Sequence, residues 1–211
     1  VKFQEAFMYR HHPTWVTAVE LAQSGAIGDL RAVNSWFSYY NDDPEDIRNK
    51  VENGGGALMD IGCYNINLSR LVFGGEPTRV ASMVHRDPAM GIDILTAASL
   101  EFGPKHQSSF TCTIRSESYQ RVHIFGTGGR IEIEIPFNIP TDEETRIHVT
   151  VNADDPMEPP TETIVFPPSN AYTVQAELFA QAILDDTPVP VDPSDAVANM
   201  RVIEAVLAEG R

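Results

Sequence analysis

Residues 130–135 read Arg130-Ile131-Glu132-Ile133-Glu134-Ile135, isoleucine and glutamate in alternation. Successive side chains of a strand point to opposite faces, so this run describes a strand with one covered face and one open or partner-covered face. The texture extends both ways. Phe110, Cys112 and Ile114 alternate with Thr111, Thr113 and Arg115, while Ile147, Val149 and Val151 alternate with Arg146, His148 and Thr150. Residues 78–166 are therefore expected to form successive strands.

The flanks carry other periods. Residues 3–9 are a short apolar run and read as a strand. Pro13 stands where a helix begins, Trp15, Ala18, Val19 and Ala22 follow at helical spacing, and Gly25 closes it. Residues 30–40 are rich in aromatic and β-branched types and predict a strand, followed by a polar loop at 41–46. A helix is expected over 57–73, ending at Gly74-Gly75. Two more close the chain, over 171–185 behind Asn170 and over 194–209 behind Asp192-Pro193, with Gly210 as the stop. This order is not the βαβ alternation of a doubly wound sheet. It predicts one α+β domain over 1–211, a large, mostly antiparallel sheet with helices on one face. The Pro-rich run 154–160 reads as a loop.

Composition narrows the partners. With 42% hydrophobic and 21% charged residues, the 211-residue chain is ordinary for a globular protein. A formal net charge of −15 argues against nucleic acid and anionic membranes. No apolar run approaches the roughly 20 residues of a membrane helix. Cys63 and Cys112, the two cysteines, lack CxxC spacing and read as reduced, buried thiols, which suits the cytoplasm. Val1-Lys2-Phe3-Gln4-Glu5 shows neither initiator Met nor signal pattern, so the chain is expected to be part of something longer, with residues 1–9 the tail of a preceding domain.

Gly54-Gly55-Gly56-Ala57-Leu58-Met59-Asp60-Ile61-Gly62-Cys63-Tyr64 carries the chemistry. On a regular helix Asp60 and Tyr64, four residues apart, share a face and make a plausible proton-handling pair. A carboxylate beside a phenol disfavours the phenolate, so a cation is needed before Tyr64 can act as a base. From spacing alone, two side chains bonded for packing is the plainer account.

Several segments carry a family likeness. They are Tyr9-Arg10-His11-His12-Pro13, Gly25-Ala26-Ile27-Gly28-Asp29-Leu30, Arg48 ahead of the Gly-rich run to Tyr64, Gly74-Gly75-Glu76-Pro77, Gly126-Thr127-Gly128-Gly129, Tyr172 with Gln175 and Phe179, and Asp195-Ala196 with Asn199-Met200. In that order they make the chain resemble the C-terminal domain of the glucose–fructose oxidoreductase / inositol dehydrogenase (Gfo/Idh/MocA) family. The resemblance implies a fold like the C-terminal domain of glyceraldehyde-3-phosphate dehydrogenase. It also implies a two-domain enzyme whose N-terminal Rossmann domain, absent from this chain, holds NAD or NADP. This domain would supply the substrate site for a sugar, polyol or related carbinol, and an open sheet face for homo-oligomerisation. Tyr64 matches the family's catalytic Tyr or His, as in the Tyr-bearing dihydrodiol and xylose dehydrogenases, and Asp60 its acidic partner. A Glu-Lys-Pro element of the other domain brings a lysine. No cofactor is expected on this chain alone, which is expected to be inactive.

The same likeness places Arg10 near cofactor and substrate, and His12, Arg48, Asn65 and Tyr172 with the substrate. Surface charge at a helix start competes for Arg10, loop charge for Arg48, and helix anchoring for Tyr172. Gly126-Thr127-Gly128-Gly129 follows a strand as a phosphate loop would, yet it leads into the alternating run and reads as a hairpin turn. The six histidines offer no chelating spacing, so no metal is expected. The rival reading is a non-catalytic module that self-associates through its open sheet face.

Overall fold

The computed structural model describes residues 1–151 and 160–210. Eight strands form one sheet: β1 Leu30–Tyr40, β2 Arg79–Arg86, β3 Asp93–Glu101, β4 Gln107–Thr113, β5 Arg115–Gly126, β6 Gly129–Ile133, β7 Thr145–Val151 and β8 Thr161–Phe166. Their spatial order is β2-β3-β4-β1-β5-β6-β7-β8. β1 inserts beside β4, the single parallel pair, and every other pairing is antiparallel. The helices are α1 Pro13–Gln23, α2 Cys63–Phe73, α3 Ala171–Leu184 and α4 Pro193–Glu209.

Alternation does what it predicts. Val33, Phe37, Phe110, Cys112, Val122, Ile124, Ile131, Ile133 and Ile147 are buried in the core under α1 and α2. The opposite face carries a polar rung, in which Ser109, Asn34, His123, Glu132, His148 and Thr163 lie side by side across six strands. Trp36 is exposed on that face, whereas Phe37 points into the core. The helix punctuation also holds. Asn170 Oδ1 accepts from the amides of Tyr172 and Thr173, Asp192 Oδ1 accepts from Ser194, and Gly25 and Gly74 have positive φ.

Three expectations are corrected. Residues 3–9 form no strand: the segment is irregular to Phe7, and Met8–His11 make a 3₁₀ turn whose backbone bonds close locally, from the Arg10 amide to Phe7 O and from the His12 amide to Tyr9 O. The alternating run ends as a strand at Ile133, and Ile135 is exposed beyond it. The helix read over 57–73 opens with a π-helical turn, Leu58–Gly62, before α2. The run read as a loop at 154–160 lies outside the described residues except for Pro160, and no described helix is long and apolar enough to cross a membrane.

The start of this π-led helix is anchored to the sheet. The buried Asp93 carboxylate, at the start of β3, accepts from the Leu58 amide at 2.8 Å and from Thr96 Oγ1 at 3.0 Å. It thereby satisfies an amide that the helix leaves unpaired at its N-terminus. Gly56, at φ 126°, abuts that carboxylate, and a Cβ on Gly62 would lie 2.7 Å from Cys112 Sγ and 2.7 Å from Leu58 Cδ1. The helix start is thus pressed onto β3 and β4 where side chains do not fit. Gly56→Ala is expected to destabilise the protein by roughly 2–4 kcal/mol, through positive φ and collision with Asp93. Chemical denaturation measures this, and a change within about 0.5 kcal/mol would show that the contact is slack.

Candidate active site

The glycine run delivers the chain to a cavity of about 440 Å³ lined by Phe37, Tyr39, Asn41, Asp46, Arg48, Asp60, Ile61, Tyr64, Asn138 and Tyr172. β1 contributes Phe37 and Tyr39, the loop after β1 contributes Asn41, Asp46 and Arg48, and the π turn and α2 contribute Asp60 and Tyr64.

Asp60 is the hub. Its Oδ2 accepts a hydrogen bond from the Tyr39 hydroxyl, and its Oδ1 accepts from Arg48 Nε at 3.0 Å. Arg48 Nη1 also lies 3.4 Å from Asp46 Oδ1, so one guanidinium spans two carboxylates. The hydrogen bond to Asp60 raises the Arg48 pKa, so the cation is permanent. Burial, then the bond to Asp60, pushes the Tyr39 phenol well above its ordinary pKa. Tyr39 was not anticipated from the sequence. Only its inclusion in an aromatic strand hinted at it, and nothing local linked it to a residue 21 positions later.

Asp60 and Tyr64 do not bond to each other. Among the described residues, the Tyr64 hydroxyl reaches Met8 Sδ at 3.9 Å. In the π turn the Cys63 amide bonds to Leu58 O, five residues back, which changes the phase by which i and i+4 would align. Tyr64 sits half-buried in an aromatic box. Its ring meets Phe7 at 5.0 Å, Phe137 at 5.6 Å, Phe37 at 6.0 Å and Tyr9 at 6.0 Å, between ring centroids. Its pKa is raised, by burial first and then by Cys63, Tyr172 and Asp60. Cys63 is likewise pushed up, to about 12, by burial, so its thiol is no nucleophile.

The structure gathers Asp60, Tyr64, Arg48 and Tyr172 on the cavity and leaves Arg10, His12 and Asn65 off it. Arg10 Nη1 donates to Asp195 Oδ2 at 2.8 Å, locking the Met8–His11 turn to α4. The same carboxylate pairs with Arg70 at 3.0 Å, and Arg70 is held by Glu76 at 2.7 Å. His12 is the buried N-cap of α1, its Nδ1 accepting from the Thr14 amide at 3.2 Å. Asn65 faces the sheet and donates to Ser35 Oγ at 2.8 Å.

Known proteins share this architecture. Residues 15–132 match the family model of the GFO/IDH/MocA C-terminal domain. An uncharacterized oxidoreductase of Rhizobium meliloti, ORF334, is 37% identical over 205 residues, covering 97% of this chain and 61% of that protein. A D-xylose 1-dehydrogenase (NADP(+)) of Haloferax volcanii is 32% identical over 207 residues, covering 98% of this chain and 61% of that protein. The chain thus spans less than two thirds of the length of either relative. In fold, it superposes on a 3-ketoreductase from Actinomadura kijaniata, solved with NADP and TDP-benzene, with a TM-score of 0.88 at 22% identity, over 99% of this chain and 62% of that one.

The enclosure of Tyr64 sets a pH expectation. Its native pKa exceeds the unfolded value near 10, so the native state keeps a proton that the unfolded chain releases, and stability falls as pH rises past about 10. The near-ultraviolet difference between the protein and Tyr64→Phe is expected to show no phenolate at about pH 10. A half-developed phenolate signal there would mean the ring is open to water.

Proposed function

The chain belongs to the Gfo/Idh/MocA family as its C-terminal domain, and from that premise we propose that it is the substrate-binding, proton-transferring domain of an NAD(P)-dependent oxidoreductase acting on a neutral sugar or polyol. One observation carries the reading. Tyr64 lines a cavity of about 440 Å³, the size of a monosaccharide, together with aromatic side chains and fixed hydrogen-bonding groups. Phe37, Tyr64 and Tyr172 offer faces to sugar C–H groups, and Tyr39, Asn41, Asp60, Arg48 and Asn138 offer donors and acceptors for hydroxyls.

The cavity's volume fits a sugar but not a sugar with a dinucleotide, and Arg10, expected at the cofactor, is spent on Asp195. The cofactor therefore belongs to a preceding domain, where it supplies or takes the hydride. Tyr64, neutral because it is enclosed, is set to give a proton to the oxygen of a carbonyl being reduced. Oxidation of a carbinol needs the opposite transfer, and a cation at the cavity mouth would make it accessible. Asp60 holds Arg48 and Tyr39 at fixed positions, so three groups that touch substrate hydroxyls stay oriented before it arrives.

Charge refines the substrate. Asp46 and Asp60 outnumber Arg48 within the cavity, and the rim loop adds Asp42, Asp43 and Glu45. An aldose or polyol enters such a site without penalty, whereas a sugar phosphate or aldonate meets repulsion. The open sheet face, with Trp36, Tyr119, Met83 and Phe125 exposed, is proposed as the surface through which copies of the protein associate. The free thiols of Cys63 and Cys112 fit a cytoplasmic location.

In the full-length protein, Tyr64→Phe is expected to lower kcat by about 10²- to 10⁴-fold with assembly retained. Unchanged turnover on the true substrate would remove Tyr64 from the mechanism and leave the sheet face, and self-association alone, as this domain's role. Neutral aldoses are expected to exceed their phosphorylated or carboxylate analogues in kcat/KM by about tenfold or more at low ionic strength, the gap narrowing with salt. Equal rates, or a preference for the anion, would refute the electrostatic argument.

A further inference from the structure

The segment 41–49 carries three of the side chains that line the cavity, Asn41, Asp46 and Arg48, yet it has almost no apolar packing to hold it. Pro44 and Ile47, its apolar residues, are exposed. One residue of the segment is buried, and it is polar: Asn49, 3% exposed. A buried amide needs partners at both of its ends, so it can be the anchor that apolar side chains provide elsewhere. Its Nδ2 donates to Asp43 O at 2.8 Å, to Asn41 Oδ1 at 3.1 Å and to Asn41 O at 3.4 Å. Its Oδ1 accepts from Arg115 Nη2 at 3.3 Å.

Arg115 reaches this loop because of the strand register. It opens β5 and pairs with Tyr40, the last residue of β1, so it stands beside the point where the loop departs. The residue is half-buried, and its guanidinium bonds go to uncharged acceptors: Asn41 O, Ile114 O, Asn49 Oδ1 and Met90 Sδ. Nη1 and Nη2 thus hold the two ends of the loop, Asn41 and Asn49, with a fork that a lysine ammonium does not reproduce. The orientations that follow are forced. Backbone carbonyls only accept and a guanidinium only donates, so Asn49 turns its NH2 to the carbonyls and its oxygen to Arg115. Asn41 then turns its oxygen to two donors, Asn49 Nδ2 and the Asp43 amide at 3.1 Å, which leaves its NH2 to donate to Asp46 Oδ2 at 2.9 Å. The other Asp46 oxygen accepts from the Arg48 amide at 2.9 Å and lies 3.4 Å from Arg48 Nη1. A chain of polar contacts therefore runs from Arg115, off the cavity, to Arg48 on it.

We propose that Asn49 and Arg115, neither of which lines the cavity, are positioning residues of the substrate site: through Asn41 they set which donors and acceptors this wall presents to a sugar hydroxyl, and through Asp46 they hold Arg48 in place. The inference rests on the reading of the cavity as a site for a neutral sugar or polyol. Its kinetic signature follows from the elements involved. Asn41, Asp46 and Arg48 meet hydroxyls in the ground state and the transition state alike, so a misshapen loop removes uniform binding and raises KM. Tyr64 is held by Phe7, Tyr9, Phe37 and Phe137, none of them on the loop, so the proton transfer itself is little changed.

The test uses the full-length protein, with D-glucose, D-xylose and their polyols as probes. Asn49→Asp keeps the side chain's shape and its contact with Arg115, while replacing the donor by an oxygen that faces three others. Arg115→Lys keeps the charge and loses the fork. Both are expected to raise KM about tenfold while kcat changes less than about threefold. Amide hydrogen exchange at Arg48 and Asn49, whose amides bond to Asp46, is expected to speed at least about tenfold, with β4 keeping its wild-type rates. Wild-type KM in either folded variant overturns the proposal. So does exchange that rises throughout the sheet with kcat and KM lost together, since that marks a structural role only. Should one variant misfold, the other decides. The two readings fail separately: local exchange in the variants without nicotinamide-dependent turnover in the unaltered protein sinks the oxidoreductase reading alone, and turnover with wild-type KM in a folded variant sinks the positioning alone.

Discussion

The close approach of the glycine-led helix start to the sheet is the constraint on which the site depends. Asp93 fixes it by accepting from Leu58, and Gly56 and Gly62 permit it by lacking side chains where Asp93 and Cys112 stand. A buried carboxylate is costly unless it is hydrogen-bonded, and the Leu58 amide and Thr96 hydroxyl supply the bonds. The helix therefore begins at one depth and one rotation. The π turn follows, and with it the direction in which Asp60 and Tyr64 point. The glycines that look like a flexible approach are in effect a rigid fitting.

That rotation divides labour between two residues that spacing alone would pair. Asp60 turns to Tyr39 and Arg48 and spends its charge on orientation. Tyr64 turns into the box of Phe7, Tyr9, Phe37 and Phe137 and becomes a phenol that resists ionisation. A second ion network, Arg10–Asp195–Arg70–Glu76, holds the Met8–His11 turn to α2 and α4, and so holds the Met8 sulfur that the Tyr64 hydroxyl meets. Arg10 acts on the site from outside it.

What was legible in the sequence was what short-range physics determines. Period-two alternation placed the strands and their faces, and Asn170, Asp192, Gly25 and Gly74 placed the helix ends, because each is settled within a few residues. The insertion of β1 between β4 and β5 is a long-range event with no local signature, and it is what brings Tyr39 to Asp60. Asn65 misled for a related reason. Its neighbour Tyr64 faces the cavity, but one step along α2 is a turn of about 100°, enough to aim Asn65 at Ser35 in the core. The apolar residues of 3–9 were read as a strand because their composition fits one. Their burial comes instead from side chains such as Phe7 inserting beneath Tyr64, which needs no partner strand.

The Tyr64 phenol is kept in its neutral form by the electrostatics of the cavity. Among the described residues lining it, Arg48 is the single cation, and its Nε and Nη1 already face Asp60 and Asp46. The nearest acidic and neutral groups, Cys63, Tyr172 and Asp60, all push the Tyr64 phenol up rather than down, as does its burial. The Tyr64 phenol is therefore held protonated at neutral pH. A cation brought close to Tyr64 would lower its pKa, and Arg48, already paired with Asp60 and Asp46, is engaged elsewhere.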